Sequence, residues 1–463
     1  MEPSEKEKKE ICAGTVMEGV SSYISKSSEG EIPGEVVRKA KHHILDSLAA
    51  SISGSKLKPG ILALRYAEHQ AGVEEAQVLG SRSVASAVNA ALVNGMTAHA
   101  DETDDADPFC MLHPGCAIVP AALAMAETVG ADGLSFLKAV VLGYDIGGRI
   151  NYATGPETTR RLHRSETSIG CAFGAAAAAA SVARLSEEET RYALSYTAQQ
   201  ASGLFYWYRD YEHVEKAFVF GGMPARNGVT AVAFVQSGFT GVSDAFSGEH
   251  NFFEAFSPDG KPALMLDGLG VQFQIMLTSI KHYPVGLPIQ SPLDALMMLK
   301  QKHGLAAGDI ESITAFVPSN VANVVDNRSM PDVNVQYILA VAMIDGNLTF
   351  EAAHSYDRMN DPEVVNLKQR VVLAADAELG AAKVPRQGIV EIVTKDGAKL
   401  REHVVNARGS AGNPMSTEEV EEKSRKLLSP VLGQDRSQRL INAIWNLEEV
   451  GNVRELRPLL TAP

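Results

Sequence analysis

Apolar residues recur at helical spacing along most of the chain. Val16, Val20, Tyr23 and Ile24 fall near one face of a helix expected from Ile11, and the charged residues 1–10 before it read as a solvated tail. Ile32-Pro33-Gly34 interrupts the pattern, and residues 36–53 predict a second helix closed by a Gly-Ser-Lys turn. Helices are expected over 60–72, 83–98 and 133–153. The alanine-rich stretch 168–184 predicts a helix that only a buried position among other helices suits. Ser186 followed by three glutamates has a cap and a negatively charged first turn, and residues 223–236 continue the helical texture. Residues 101–113 carry acids, a proline and no period, which predicts a loop; Pro120 fits the first turn of the next helix, running to about Gly130.

The texture changes near residue 270. Glu311-Ser-Ile-Thr-Ala-Phe-Val-Pro alternates with strand period, and two alternating runs flank Asp396-Gly397, a hairpin signature. Helices are expected near 290–302, 334–344 and 363–376, and again over 416–460. These elements predict a mainly α protein. Residues 1–270 and 409–463 would form a large all-helical domain, with a smaller α+β lid domain, 271–408, inserted in it. A chain of 463 residues is too long for one ordinary core, which agrees with two domains.

Composition narrows the function. The formal net charge is −14, with no basic stripe or polybasic patch, so nucleic acid and membrane partners are not expected. The start is too charged for a signal peptide and no apolar run reaches a membrane-spanning length, so a cytoplasmic location is expected. Cys12, Cys110, Cys116 and Cys171 show no paired or zinc-type spacing and read as buried small hydrophobes. No nucleophile elbow, phosphate-binding loop or H-E-x-x-H motif is present, and Gly143 to Gly148 reads as small residues that let helices approach closely.

An anion could still be bound by a local cluster of cations. The densest chemistry lies at His99-Ala-Asp-Glu-Thr-Asp-Asp-Ala-Asp107, followed by His113-Pro114-Gly115. Three readings compete: a metal site, a solvated acidic loop, or an active-site loop whose carboxylates orient His113. Consecutive acids without the glycine of an EF-hand loop argue against the metal. Arg160-Arg-Leu-His163-Arg164 is a basic knot ahead of a helix, either a carboxylate cradle or surface charge. Lys216 has aromatic and glycine neighbours that suggest enclosure, the alternative being a snorkelling surface lysine; Arg226 could grip a carboxylate with its fork. Lys281-His-Tyr283-Pro stands where the second domain begins, a common place for a ligand.

Taken in order, these segments resemble the MmgE/PrpD family over roughly residues 12–455. The anchors are Ala40-Lys-His-His-Ile-Leu-Asp-Ser-Leu-Ala-Ala50, His99 through Asp105, His113-Pro, Gly143-Tyr-Asp-Ile-Gly-Gly-Arg149, His163 before Phe173-Gly-Ala-Ala-Ala, Lys216 before Ala225-Arg-Asn-Gly, Lys281-His-Tyr-Pro and Ala340-Val-Ala-Met-Ile-Asp-Gly346. The resemblance implies a homodimer without metal or organic cofactor. It also implies acid–base chemistry on a small di- or tricarboxylate: dehydration of a methylcitrate-like acid, with epimerisation of an iminodisuccinate-like acid or decarboxylation of a cis-aconitate-like acid as alternatives. It assigns His113, His163, Lys216, Asp104 and Asp105 to catalysis, and Lys281, Glu102, His99, Arg226 and Tyr283 to the substrate. The decarboxylase pattern Asp-x-Asp-Asp-Thr meets Glu102 and Ala106 here, Ala322 stands where a tyrosine is expected, and His-Pro-Gly replaces the commoner His-Pro-Ser. Losing a hydroxyl and a phenol weighs against decarboxylation and leaves dehydration as the leading expectation.

Overall fold

The first helix, Glu5–Lys26, buries Val16, Val20 and Ile24 and starts before the expected Ile11, so residues 5–10 are helical and not a tail. The computed structural model describes the backbone of residues 5–70 and 72–462, and side chains from residue 16; the rest of the expected tail and the Cys12 side chain lie outside the described residues. The protein is mainly α, and its chain divides into two compact units. The first comprises residues 1–100, 105–278 and 417–463, and the second residues 101–104 and 279–416.

In the first unit the alanine-rich helix Glu166–Val182 is buried along its whole length. Gly133–Thr154 packs against it closely because a side chain at Gly143 would overlap the Gly174 carbonyl, and one at Gly174 would overlap that of Gly143. Gly115–Val129 and Met223–Gln236 pack on the same helix. The expected Ser186 cap opens Glu187–Gln200, and Glu189 completes it as a reciprocal capping box. Pro120 is a correction. It lies inside the helix rather than in its first turn, since the helix already begins at Gly115. The expected helix over 83–98 is also shorter: β1 (Ala76–Gln77) and β2 (Val84–Ala85) pair antiparallel, and the helix Ala87–Ala98 follows Ser86, whose Oγ accepts from Asn89 N. Among the described residues, no helix is long and apolar enough to cross a membrane.

The second unit holds a four-stranded sheet of β3 (Ile310–Pro318), β4 (Val371–Asp376), β5 (Gly388–Thr394) and β6 (Lys399–Val404), in the order β4-β3-β5-β6. The β5–β6 hairpin turns through Gly397 at φ 88°, where glycine alone is unstrained. Residues 371–376 were expected to be helical. They form a strand because β3 offers a parallel partner, Ile313 opposite Val371, and the helix Pro362–Lys368 ends before it. Helices Leu287–His303 and Val335–Asp345 cover the sheet, with Ile289, Leu293, Leu296, Ile338 and Val341 in the core.

Candidate active site

The helix Ala87–Ala98 delivers His99 at its C-terminal end, where the ring is fully buried. Further along, Asp107 and Leu112 pair across a tight turn, and Asp107 Oδ1 accepts from Phe109 N at 2.8 Å and Cys110 N at 3.2 Å. Burial raises the Asp107 carboxyl to about 6 despite those bonds. The turn returns the chain to His113-Pro114, immediately ahead of the helix Gly115–Val129. The His113 carbonyl accepts from the Cys116 and Cys171 thiols, each at 3.1 Å. Cys110, Cys116 and Cys171 are buried thiols rather than disulfides.

His99 and His113 meet edge to face, ring centroids 5.0 Å apart, around Phe220, which stacks on His99 at 4.7 Å and lies 5.3 Å from His113. A third imidazole, His213, lies 5.0 Å from His99. Its Nδ1 is 3.1 Å from the His99 carbonyl, which can only accept, so Nδ1 carries the proton and Nε2 is the basic nitrogen. His213 sits at φ 60°, just before the short helix Val214–Ala217 that carries Lys216. A π-helical turn, Phe218–Gly222, follows. It fits because a side chain at Gly95 would overlap the Gly221 carbonyl. Lys216 is buried, and its Nζ lies 5.2 Å from the ring centres of both Trp207 and Phe220. Aromatic faces thus hold its charge. The enclosure inferred from its neighbours is real, and His99, His113 and Lys216 gather around one aromatic centre.

Other expected residues lie elsewhere. The His163 side chain is exposed on a turn at φ 59° and joins none of these rings among the described residues. The arginines of its basic knot are engaged: Arg160 pairs with Glu166, Arg161 with Asp259, and Arg164 donates to the Ala255 carbonyl and covers Phe256. Both Arg226 Nε and Nη2 donate to Asn227 Oδ1, so its fork is turned to its neighbour. Asp105 receives His43 Nδ1 at 2.5 Å, Tyr144 Oη at 2.6 Å and Gly115 N at 2.9 Å. His213, His43 and Tyr144 were not singled out from the sequence. The one available signal for His213 was its place three residues before Lys216.

The second unit holds Glu102, Asp104, Lys281 and Tyr283. Lys281 is buried, with Nζ 3.0 Å from Glu102 and 3.5 Å from Asp104. Burial would lower the ammonium pKa, but the two carboxylates outweigh it and hold Lys281 above its ordinary value. The Tyr283 phenol is pushed up by burial and by Asp294, to which it bonds. At the head of the acid run, Asp101 accepts from Thr103 and pairs with His354 at 2.8 Å.

Burial lowers the His354 pKa, but Asp101, with Asp332 and the Phe350 carbonyl, overcomes it and raises the imidazolium to about 9. This pair sets a pH dependence. A histidine whose folded pKa exceeds its unfolded value of about 6.5 stabilises fully below that pH and loses the effect as pH rises to about 9. The second unit is expected to lose about 3 kcal/mol across that interval. Amide hydrogen exchange in residues 350–354 should accelerate over the same range, after correction for intrinsic rates, and His354→Gln should flatten the dependence. A flat profile in the unsubstituted protein would refute the pairing.

For a metal, His99 offers a ring nitrogen within 4.8 Å of one on His213 and of one on His113.

Three imidazoles and a buried ammonium gathered in the first unit are groups of the kind that acid–base chemistry uses. The chain belongs to the MmgE/PrpD family. The family's N-terminal domain matches residues 18–265 and its C-terminal domain residues 283–449. Similar proteins include the cis-aconitate decarboxylase-like protein oryM of Aspergillus oryzae, 24% identical over 97% of this chain and 98% of its own. The cis-aconitate decarboxylase of Homo sapiens is 26% identical over 97% of this chain and 95% of its own. That of Aspergillus terreus is 24% identical over 96% and 95%.

Proposed function

We propose that this protein is a lyase that removes a proton next to a carboxylate of a small di- or tricarboxylate and expels water, without metal or organic cofactor. The observation that carries the reading is the gathering of His99, His113 and Lys216 around Phe220, with His213 beside His99. In the proposed reaction, His113 takes the proton. The bond's electron pair forms an enediolate, and Lys216 stabilises its charge and holds a carboxylate. The enediolate then collapses to an alkene as the β-hydroxyl leaves with a proton from an imidazolium. His213 is the group for that proton, replacing His163, whose ring is exposed. The reading includes a homodimer, as the family resemblance implies, and the cytoplasmic location expected from the composition.

Decarboxylation is the second reading, favoured by the names of the similar proteins. It would break a C–C bond, release carbon dioxide and return a proton to the carbanion. Against it stand Ala106 and Ala322, both buried, where the decarboxylase pattern has a hydroxyl and a phenol to hydrogen-bond. Proton NMR in deuterated water, with hydroxy- and amino-di- and tricarboxylates and cis-aconitate, separates the outcomes. An alkene product with all carbons retained, seen as a new vinyl resonance or as a methyl doublet that becomes a singlet, indicates dehydration. Exchange of the α-proton alone indicates epimerisation, and loss of a carboxyl carbon indicates decarboxylation. No change with any acid in metal-free buffer would sink the proposal.

A further inference from the structure

The loop that presents His113 is fixed at two points. Its carbonyl receives two thiols, and two residues later Gly115 N donates to Asp105. Asp105 is 0% exposed, 62 residues in sequence from His43 and 39 from Tyr144, yet both donate to its Oδ2. His43 and Tyr144 come from two different helices, Gly34–Gly54 and Gly133–Thr154, of the first unit. Both rings are fully buried. A side chain at position 115 would overlap Ser47 Oγ, Asp105 Oδ1 and Tyr144 Oη, so the polar node presses directly against the backbone that follows His113. This explains why glycine follows His-Pro here.

Burial, with Lys39 nearby, pushes the His43 imidazole down to about 4 despite Asp105, so it is neutral near pH 7. Its one proton must sit on Nδ1, the nitrogen facing the carboxylate. Tyr144 is held as a phenol by burial and by Asp105. Asp105 therefore accepts three hydrogen bonds from neutral donors, an arrangement that sets a carboxylate's orientation.

We propose that His43 and Tyr144 are positioning residues for the reaction: they hold Asp105, Asp105 holds Gly115, and that backbone aims the His113 imidazole. The proposal rests on the reading of His113 as the proton-handling group. Of the loop carboxylates expected to orient His113, it gives Asp105 an indirect part through the backbone, with its oxygens bonded to His43, Tyr144 and Gly115.

Tyr144→Phe removes one hydroxyl and nothing else. His43→Leu removes the ring donor, and His43→Asn returns an amide N–H near the position of Nδ1. Full-length variants are compared by turnover, KM and the Cε1–H resonance of His113 in histidine-labelled protein, assigned by its absence in His113→Ala. Tyr144→Phe and His43→Leu should lower kcat by about ten- to a hundredfold, with KM within about twofold, and should move the His113 resonance. His43→Asn should recover most of the loss. If His43→Leu does not fold, Tyr144→Phe carries the test alone. Unchanged kcat and an unmoved resonance in a folded variant would overturn the proposal, as would a kcat loss with the resonance unmoved. Asparagine performing no better than leucine would do the same. Should the wild-type protein turn over no carboxylate, the functional reading fails, while the His113 resonance still decides whether the node positions that ring.

Discussion

His113→Ala is expected to lower turnover by about a hundred- to ten-thousandfold, the range a general acid–base group contributes, while the protein stays folded. The backbone contacts that residue 113 makes are kept in the variant. The carbonyl that receives the Cys116 and Cys171 thiols is unchanged by the substitution. The ring contributes edge contacts to His99 and Phe220, worth about 1 kcal/mol. A rate loss this large with so small a stability change separates chemistry from architecture. Added imidazole should restore part of the activity by occupying the vacated space, and the restored rate should follow the concentration of its neutral form. Turnover that survives at the wild-type rate would remove His113 from the mechanism.

Local signals carried far in the sequence. The Ser186 cap, the helix Met223–Gln236, the irregular stretch before His113, the alternation of β3 and the turn at Gly397 all depend on neighbours a few residues away. What failed to show depends on distant partners. Val371 to Asp376 becomes a strand only because Ile313 to Pro318 lies beside it. Pro120 reads as a first-turn residue until Asp105, ten residues before Gly115, is seen to receive the N–H that opens the helix. The site divides in the same way. His99, His113 and Lys216 stand out by type and neighbourhood, and they do converge. His163 stood out for its arginines, but those find Glu166, Asp259 and a backbone carbonyl close by and leave the ring at the surface. His213 had no acid run or basic knot to mark it, and His43 meets Asp105 through the packing of helices.

Lys281→Met is expected to destabilise the second unit by about 3–5 kcal/mol, because it leaves two buried carboxylates without their shared cation. Glu102 and Asp104 are 3% and 0% exposed, and methionine matches the lysine stem but brings no charge. The wild-type cluster carries one positive and two negative charges, so Lys281 is already more than neutralised by protein groups. A lysine so placed shapes the acid run before it can serve a substrate. The pH dependence identifies the cause. In the variant the carboxylates prefer to be protonated, which raises their folded pKa values above the unfolded ones. Stability is then greatest at low pH and falls as pH rises through the raised values. Denaturation at pH 5 and pH 8 should show the variant closer to wild type at the lower pH. Adding Asp104→Asn and Glu102→Gln to Lys281→Met should recover most of the loss, since neutral side chains no longer need the cation. If Lys281→Met instead melts like wild type at both pH values and only raises KM, the ammonium is a substrate ligand and its pairing with the acid run is incidental.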